Sequence, residues 1–271
     1  MPALSRTRLF GFIFLLLSLN ALPTFIGEAV QSHGWLVATL DLFDVSAIVW
    51  LALAAGVTMA WQSGSTSDES ATLASRADLA LAFGATLIAL VPVPPLSAGA
   101  LSGVALWCWT TSRPGSSARR SAAVFLSLST FFFWGRIFLA LGAGPLLSAD
   151  AHFVSLISGM AVEGNVVSFI NGNRFLIAPG CSSLHGISLA LILWTTAIAW
   201  FKLPVTRSLI YILVIAVLAS VAVNGLRLTM IAWHPDQFSY WHVGMGASLF
   251  GWLALFADLG VVYYGIQSAL R

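Results

Sequence analysis

The chain has 271 residues, of which 59% are hydrophobic and 8% are charged, and its mean hydropathy is +0.92. Soluble domains carry about 25% charged residues, so this composition excludes a water-soluble enzyme and a disordered chain. A net charge of +2 without any basic run gives no electrostatic basis for binding nucleic acid. The two cysteines, Cys108 and Cys181, are too few for a disulfide framework or a four-cysteine zinc site. The sequence therefore predicts a polytopic membrane protein.

Apolar segments of roughly the 20 residues needed to cross a bilayer recur along the chain. The third and fourth are separated only by a short segment with Pro92, Pro94 and Pro95, which predicts a tight helical hairpin. All segments together predict an all-α membrane protein with about eight helices, at residues 9–29, 45–61, 79–93, 96–112, 121–144, 183–201, 208–232 and 244–266. We divide the chain into an N-terminal region, 1–112, with helices one to four, and a C-terminal region, 121–271, with helices five to eight.

Basic residues are distributed unevenly between the two sides of the membrane. With the N-terminus inside, nine of the 12 basic residues fall in cytoplasmic segments, one of which includes a serine-rich linker at 63–75. These nine are Arg6, Arg8, Arg76, Arg113, Arg119, Arg120, Lys202, Arg207 and Arg271. The outer segments hold Asp41, Asp44, Asp150, Glu163 and Asp236. The asymmetry predicts that both termini are cytoplasmic.

One outer segment, 145–182, is too long for a simple connection. Its first part, His152–Ala161, is amphipathic and predicts a short helix lying on the membrane surface. Its second part, Val166–Ile177, contains two β-prone runs around Asn171-Gly172, a strong hairpin signal. The hairpin then leads through a Pro-Gly turn directly into Cys181, so we expect it to present this cysteine at the start of a helix.

Three chemically capable side chains are predicted to share one layer at the outer face. Cys181 precedes the outer end of helix six, and His242 precedes the outer end of helix eight. Arg227 lies roughly 27 Å above the inner start of helix seven, in an apolar core about 30 Å thick. Each residue alone has a structural interpretation, as a snorkelling arginine, an interfacial histidine or a buried thiol. An arginine so near hydrocarbon is costly, however, and the three together favour a functional site.

These residues resemble a known family. Cys181-Ser-Ser, Asn224-Gly-Leu-Arg227 and His242 are similar to the signature of the exosortase/archaeosortase family of membrane cysteine transpeptidases. The similarity to this family covers residues 120–266. It includes the order of the three residues, their distribution over successive helices and the hairpin before the cysteine. One departure is Ser183, which stands where the family often has glycine. The resemblance implies that residues 121–271 form a catalytic core.

The resemblance also implies a reaction and a location. Its substrates are exported proteins that end in a sorting signal, made of a short motif, a transmembrane helix and a basic tail. The enzyme cleaves at the motif, holds the new C-terminus as a thioester, and passes it to an amine or lipid acceptor. The catalytic set falls on Cys181, Arg227 and His242, without cofactor or metal, at the extracytoplasmic face of the cell (inner) membrane.

The chemistry of the side chains suits these roles. A thiol attacks a carbonyl as its thiolate, and a nearby cation favours that form. Histidine exchanges protons near neutral pH, and the five N–H donors of arginine can stabilise an oxyanion. The sequence alone leaves His185 almost equal to His242 as the base, because it follows Cys181 by four residues, one turn along a helix. Asn224, on the same helix face as Arg227, is interpreted as orienting Arg227 or as packing between helices.

Two other classes of function remain compatible with the composition. A secondary transporter would also place Asp258, Arg136 and Arg227 within the membrane, although the matching halves typical of transporters are not visible. A non-catalytic membrane scaffold would need no cysteine. Cys108 is interpreted as a packing residue. Asp258 is too deep to join the outer layer, and we expect it to pair within the bundle or to face a cytoplasmic cavity.

Overall fold

The computed structural model describes residues 5–62 and 73–271, so most of the predicted linker 63–75 lies outside the described residues. The fold is mostly helical with one small sheet. The helices are α1 (Arg6–Ala21), α2 (Pro23–Leu40), α3 (Ala47–Gln62), α4 (Arg76–Ala89), α5 (Pro94–Thr111), α6 (Ser117–Ser129), α7 (Gly135–Ser158), α8 (Leu184–Trp200), α9 (Arg207–Trp233), α10 (Phe238–His242) and α11 (Met245–Leu270). The strands are β1 (Val162–Glu163), β2 (Val166–Ser168) and β3 (Arg174–Leu176).

Several helical segments have the length and composition of membrane spans. Within the described residues, four qualify: Arg6–Ser32, Ser117–Ser158, Arg207–Trp233 and Met245–Leu270. Two shorter apolar helices, Ala47–Trp61 and Leu184–Trp200, accompany them. The chain is therefore a multi-pass membrane protein. The number of eight membrane helices and the cytoplasmic location of both termini stay predictions.

The predicted fifth span and the predicted surface helix are joined in the structure. A π-helical turn at Thr130–Trp134 links α6 to α7, and α7 continues to Ser158. The stretch predicted as a short amphipathic helix, His152–Ala161, is helical as far as Ser158 and belongs to the helical segment that follows the non-helical Gly142 within α7. Its position on the membrane surface stays a prediction. The helix tolerates Pro145 because Gly142, with φ −145° and ψ 30°, absorbs a kink just before it.

The described residues fall into two compact units, of which the first comprises residues up to Trp134 together with Ile192–Pro204. Its helices approach closely where glycines face them: a Cβ at Gly11 would collide with Ala60, and one at Gly56 would collide with the ring of Phe125. The helices α4 and α5 pack against each other and are joined by the proline-containing turn, which confirms the predicted helical hairpin.

A closed polar cluster ties the helix ends of this first unit. The Arg6 guanidinium donates from Nε to Asp78 at 2.9 Å, from Nη1 to Ser112 at 2.7 Å, and from Nη2 to Thr111. Asp78 also accepts from the Trp107 indole at 3.0 Å and forms a capping box with Ser75. Arginine and carboxylate are both buried, and each is held by several hydrogen bonds. This ion pair is structural.

The second unit comprises Gly135–Leu191 and Val205–Arg271 and contains the predicted site residues. Its long helix α9 packs against α7 and α11. Gly225 of α9 lies directly under the ring of Phe153 of α7, and Gly265 of α11 lies against Ile212 of α9. Any larger side chain at either glycine would push the helices apart, so these contacts set the distance of α9 from α11 near its N-terminal end and from α7 near its C-terminal end.

The predicted hairpin is present and forms part of a three-stranded antiparallel sheet in the order β1-β2-β3. Its turn contains Asn171-Gly172, and Gly172 has φ +84°, a conformation that favours glycine. The turn is tied to the end of α9, because the Ile170 N–H donates to the Ala232 carbonyl at 3.0 Å. The sheet is thereby fixed next to the helix that carries Arg227.

Candidate functional site

Cys181 closes a short 3₁₀ turn, Pro179–Cys181, and does not lie on a helix. Its N–H donates to the Ala178 carbonyl at 2.8 Å, while Ser182 is extended and α8 begins only at Leu184. The prediction that a turn presents Cys181 just before a helix starting near residue 183 is confirmed. The shared helix face proposed for Cys181 and His185 is wrong, because the extended Ser182 breaks the helical periodicity between them.

The thiol of Cys181 contacts an imidazole from a distant part of the chain. Sγ of Cys181 and Nε2 of His242 are 3.1 Å apart, a hydrogen-bonding distance for sulfur. Cys181 is only 7% exposed and belongs to an apolar cluster that includes Phe175, Ile177 and Leu228. The structure thus brings a shielded thiol and an imidazole together, which is the arrangement required for proton exchange between them.

Aromatic packing fixes the plane of the His242 ring. The ring of Phe238, one turn earlier in α10, stacks on the imidazole with centroids 4.9 Å apart and an interplanar angle of 17°. Phe238 in turn packs edge-on against Phe169, which stacks on Phe175 of β3. The hairpin therefore positions the imidazole through a chain of rings, and its role extends beyond delivering the cysteine.

Arg227 of α9 lies close enough to Cys181 and His185 for its charge to act on both. Its Nε atom is buried, and no hydrogen-bond partner for it occurs in the described part of the chain. Unlike a hydroxyl, a guanidinium N–H cannot turn to find another acceptor, and burying it without one costs free energy. A half-buried cation whose charge acts on a thiol, and whose buried Nε–H has no acceptor among the described residues, is an arrangement suited to receive an anionic oxygen.

Asn224 has a different partner from the one predicted. Its side-chain amide donates from Nδ2 to the backbone carbonyl of Cys181 at 2.9 Å, so it holds the turn that ends at Cys181. The sequence left two interpretations open, that Asn224 orients Arg227 or that it packs between helices. The spacing along α9 could not show a hydrogen bond to a loop carbonyl, because that contact depends on tertiary packing.

The pair formed by Asp150 and Ser183 was not predicted. Asp150 of α7 is 6% exposed, and its carboxylate accepts from the Ser183 N–H at 3.0 Å and from the Ser183 hydroxyl at 2.6 Å. Ser183, which stands where the resembling family often has glycine, therefore uses its hydroxyl to bind Asp150. Two signals were available, an aspartate two residues before the amphipathic stretch and that same serine, but only tertiary packing joins them.

The remaining residues singled out from the sequence have other partners. Cys108 is fully buried in the first unit beside Ser112 and Ala118, as a packing residue. Asp258 pairs within the bundle, as expected, since both carboxylate oxygens accept from Ser220 at 2.9–3.0 Å. Arg174 forms an exposed ion pair with Glu163 on the sheet. In residues 5–62 and 73–271, no three His, Cys, Asp or Glu side chains are grouped to hold a metal ion.

These features define a multi-pass helical membrane protein in which a shielded cysteine contacts a histidine, near an arginine whose Nε atom is buried. The chain matches the transmembrane exosortase family over residues 41–257, most of its length, and it belongs to that family. Membership supports a transpeptidase-type role in the membrane. No curated protein and no solved structure matches the chain.

Proposed function

We propose that this protein is a membrane cysteine transpeptidase. It cleaves a C-terminal sorting signal of exported proteins and transfers the new C-terminus to an amine or lipid acceptor at the extracytoplasmic face of the cell (inner) membrane. The observation that carries the proposal is the 3.1 Å contact between Sγ of Cys181 and Nε2 of His242. Family membership agrees with the reaction class.

In the first half-reaction, the Cys181 thiol passes its proton to His242 and the thiolate attacks the scissile carbonyl carbon. The carbonyl π-electrons move to oxygen, and the resulting oxyanion faces Arg227, whose charge and N–H donors stabilise it. The C–N bond then breaks, and the imidazolium returns the proton to the departing amine. The products are a thioester on Cys181 and the released C-terminal helix with its basic tail.

In the second half-reaction, an acceptor amine or hydroxyl attacks the thioester carbonyl while His242 removes its proton. Collapse of the tetrahedral intermediate expels the Cys181 thiolate, which regains a proton from the imidazolium. Water in place of the acceptor would give hydrolysis through the same acyl-enzyme. Shielding of Cys181 by the surrounding apolar side chains supports transfer over hydrolysis, since it limits the access of water to the thioester.

The proposal is tested by replacing each cysteine of the chain in turn. A substrate with its sorting signal is expressed with each variant in cells lacking the wild-type protein, and full-length and cleaved forms are separated on gels. Cys181→Ala should abolish cleavage. Cys181→Ser should also be inactive, because an alcohol is far less acidic than a thiol. Cys108→Ala is the matched control and should cleave normally, since Cys108 belongs to the first unit and contacts Ser112 and Ala118.

The same experiment separates the proposal from a scaffold or transporter. Normal cleavage in Cys181→Ala would end the enzyme hypothesis, and retained biological function without cleavage would favour a scaffold. The orientation is tested by labelling single engineered cysteines in the Asn171-Gly172 turn from outside intact cells. We expect labelling there and none in the 113–120 loop, and a turn that is accessible only from the cytoplasm would place the site in the wrong compartment for exported substrates.

A further inference from the structure

The sheet of the second unit has an unpaired edge strand, β3, and the chain continues from this strand to Cys181. The strand order is β1-β2-β3, so β3 has β2 on one side only. Two residues of β3, Arg174 and Leu176, are exposed, and Leu176 keeps 60% of its surface accessible. The chain then runs through the exposed Pro179 and Gly180 to Cys181.

The hydrogen-bond register shows which backbone groups face outwards. Ile177 N–H donates to Asn165, and Phe169 N–H donates to Asn173, on either side of the paired residues Val167 and Phe175. Hydrogen-bonded and non-hydrogen-bonded pairs alternate along an antiparallel ladder. Arg174 and Leu176 are therefore the non-hydrogen-bonded positions towards β2, and their N–H and C=O groups point to the outer edge.

No hydrogen bond among the described residues closes this outer edge. The other edge of the sheet is different, because β1 contacts α7 and is only two residues long. An open strand edge is a template for another extended chain, and natural proteins usually cover or shorten such edges. Here the edge is left open five residues before Cys181.

We propose that the β3 edge binds the substrate polypeptide as an added β-strand. The occupant is the extended segment next to the scissile bond, which would pair with Arg174 and Leu176 and so be aligned towards Cys181. Main-chain hydrogen bonds provide this mode of binding with affinity that depends little on side chains, while alternate side chains of the peptide provide selectivity. The inference rests on the proposed function, because it requires a peptide substrate.

A single proline tests the edge without breaking the sheet. Leu176→Pro removes the outward N–H but no hydrogen bond to β2, and proline is tolerated at edge positions. Leu176→Ala loses the side chain but keeps the N–H, so it is the reference variant. One lost hydrogen bond should raise KM in Leu176→Pro about fivefold above KM in Leu176→Ala, with little change in the rate at saturation. Alkylation of Cys181 by a small thiol reagent should proceed at the wild-type rate in both, which shows that the site is folded.

Disulfide mapping tests the same contact without catalysis. The enzyme carries Leu176→Cys in a Cys108→Ser and Cys181→Ala background, and a single cysteine is moved along the substrate segment. Side chains of adjacent strands meet only on the same face, so every second position is within reach. We expect the strongest cross-link at one substrate position, weaker ones two residues away on either side, and none between. Glu163→Cys, on the opposite edge, is the matched control and should give no such pattern.

Three results would overturn the inference. These are equal cross-linking at all positions, cross-links between two copies of the enzyme in place of the substrate, and a KM in Leu176→Pro equal to that in Leu176→Ala. Each can occur while Cys181-dependent cleavage is normal, in which case the edge proposal fails and the transpeptidase proposal stands. If Cys181→Ala still cleaves substrate, the proposed function itself fails, independently of the cross-links.

Discussion

Each unit of the molecule contains a buried cysteine and an arginine with a buried Nε atom, but the two sets differ in how completely they are bonded. In the first unit, all three nitrogens of the Arg6 guanidinium donate to neighbouring side chains. In the second unit, Nε of Arg227 is buried without a partner among the described residues. A buried polar group that has all its partners stabilises a fold, whereas one without a partner requires another explanation.

The two cysteines differ in the same way. Cys108 is fully buried, and its sulfur lies 3.7–3.8 Å from the Ser112 hydroxyl and the Ala118 carbonyl, neither of which can accept its proton for chemistry. Cys181 lies 3.1 Å from an imidazole. Residue type alone therefore does not identify a reactive thiol. Cys181 differs from Cys108 because it contacts the imidazole of His242 and lies within reach of the charge of Arg227, whose Nε has no partner among the described residues.

The largest expected effect concerns the imidazole that distinguishes the two cysteines. His242→Ala should lower substrate cleavage by about 10²–10⁴-fold, the usual contribution of a general acid–base. His185→Ala is the matched control and should retain most of the activity, because the hydrogen bond of the thiol runs to His242. The measurement is the initial rate of cleavage with purified enzyme and a peptide substrate. Full activity in His242→Ala together with none in His185→Ala would show that the other histidine is the base.

The second prediction compares Arg227 with Arg6. Arg227→Lys should reduce the cleavage rate by about 10²–10³-fold, because lysine keeps the charge but loses the planar set of donors that receives an oxyanion. Arg6→Lys, in the closed cluster, should instead lower thermal stability and leave the rate per folded molecule unchanged. Both rates are normalised to monodisperse protein after size-exclusion chromatography. A comparable loss of rate in the two variants would contradict the distinction between Arg6, whose donors are all bonded, and Arg227, whose Nε has no partner among the described residues.

A smaller effect is expected for two of the buried aspartates, Asp150 and Asp78. Asp150→Asn keeps one acceptor for Ser183 but loses the other, and a hydrogen bond to a charged group contributes about 1.5–3 kcal/mol. We expect a decrease in the cleavage rate of about tenfold and slower alkylation of Cys181. Asp78→Asn leaves Arg6 unpaired, which should destabilise the protein by about 3–5 kcal/mol without slowing the folded enzyme. Unchanged kinetics in Asp150→Asn would show that the Ser183 contact is structural only.

The smallest effect should come from the amide that holds the Cys181 carbonyl. Asn224→Ala removes one hydrogen bond of 2.9 Å, and a neutral hydrogen bond contributes about 1 kcal/mol. We expect a decrease in the cleavage rate of about fivefold. Asn224→Asp tests the reason, because a carboxylate cannot donate to the carbonyl and adds a negative charge near the thiol. It should be slower than Asn224→Ala, and an equal or faster rate would contradict a donating role.

The sequence predicted the elements whose signals are local. The β-hairpin followed from Asn171-Gly172 between β-prone runs, and the helical hairpin followed from the prolines between α4 and α5. The proximity of Cys181 and His242 followed from helix ends on one side of a membrane, and their catalytic roles stay predictions. The predicted end of the fifth span at residue 144 lies close to the non-helical Gly142, which divides α7 into two helical parts. The sequence did not show that these two parts are directly joined, because the change in polarity suggested a longer connection.

Contacts between distant segments could not be predicted from spacing. Asp150 meets Ser183 across 33 residues, and the ring of Phe169 connects the sheet to Phe238 and so to His242. Neither contact has a periodic pattern in the sequence, because each depends on how α7, the sheet and α10 pack in three dimensions. The same holds for Asn224, which lies on the predicted face but donates to a loop carbonyl.

The most direct test of the account is to trap the acyl-enzyme. Purified wild-type protein is mixed with a substrate peptide, quenched in acid within seconds, and its mass is measured intact and after proteolysis. We predict an adduct on Cys181 that equals the N-terminal part of the substrate, is removed by neutral hydroxylamine, and accumulates in the absence of an acceptor. Cys108 should carry none. Cleavage without any adduct on Cys181, or an adduct of the same mass in Cys181→Ala, would contradict the account.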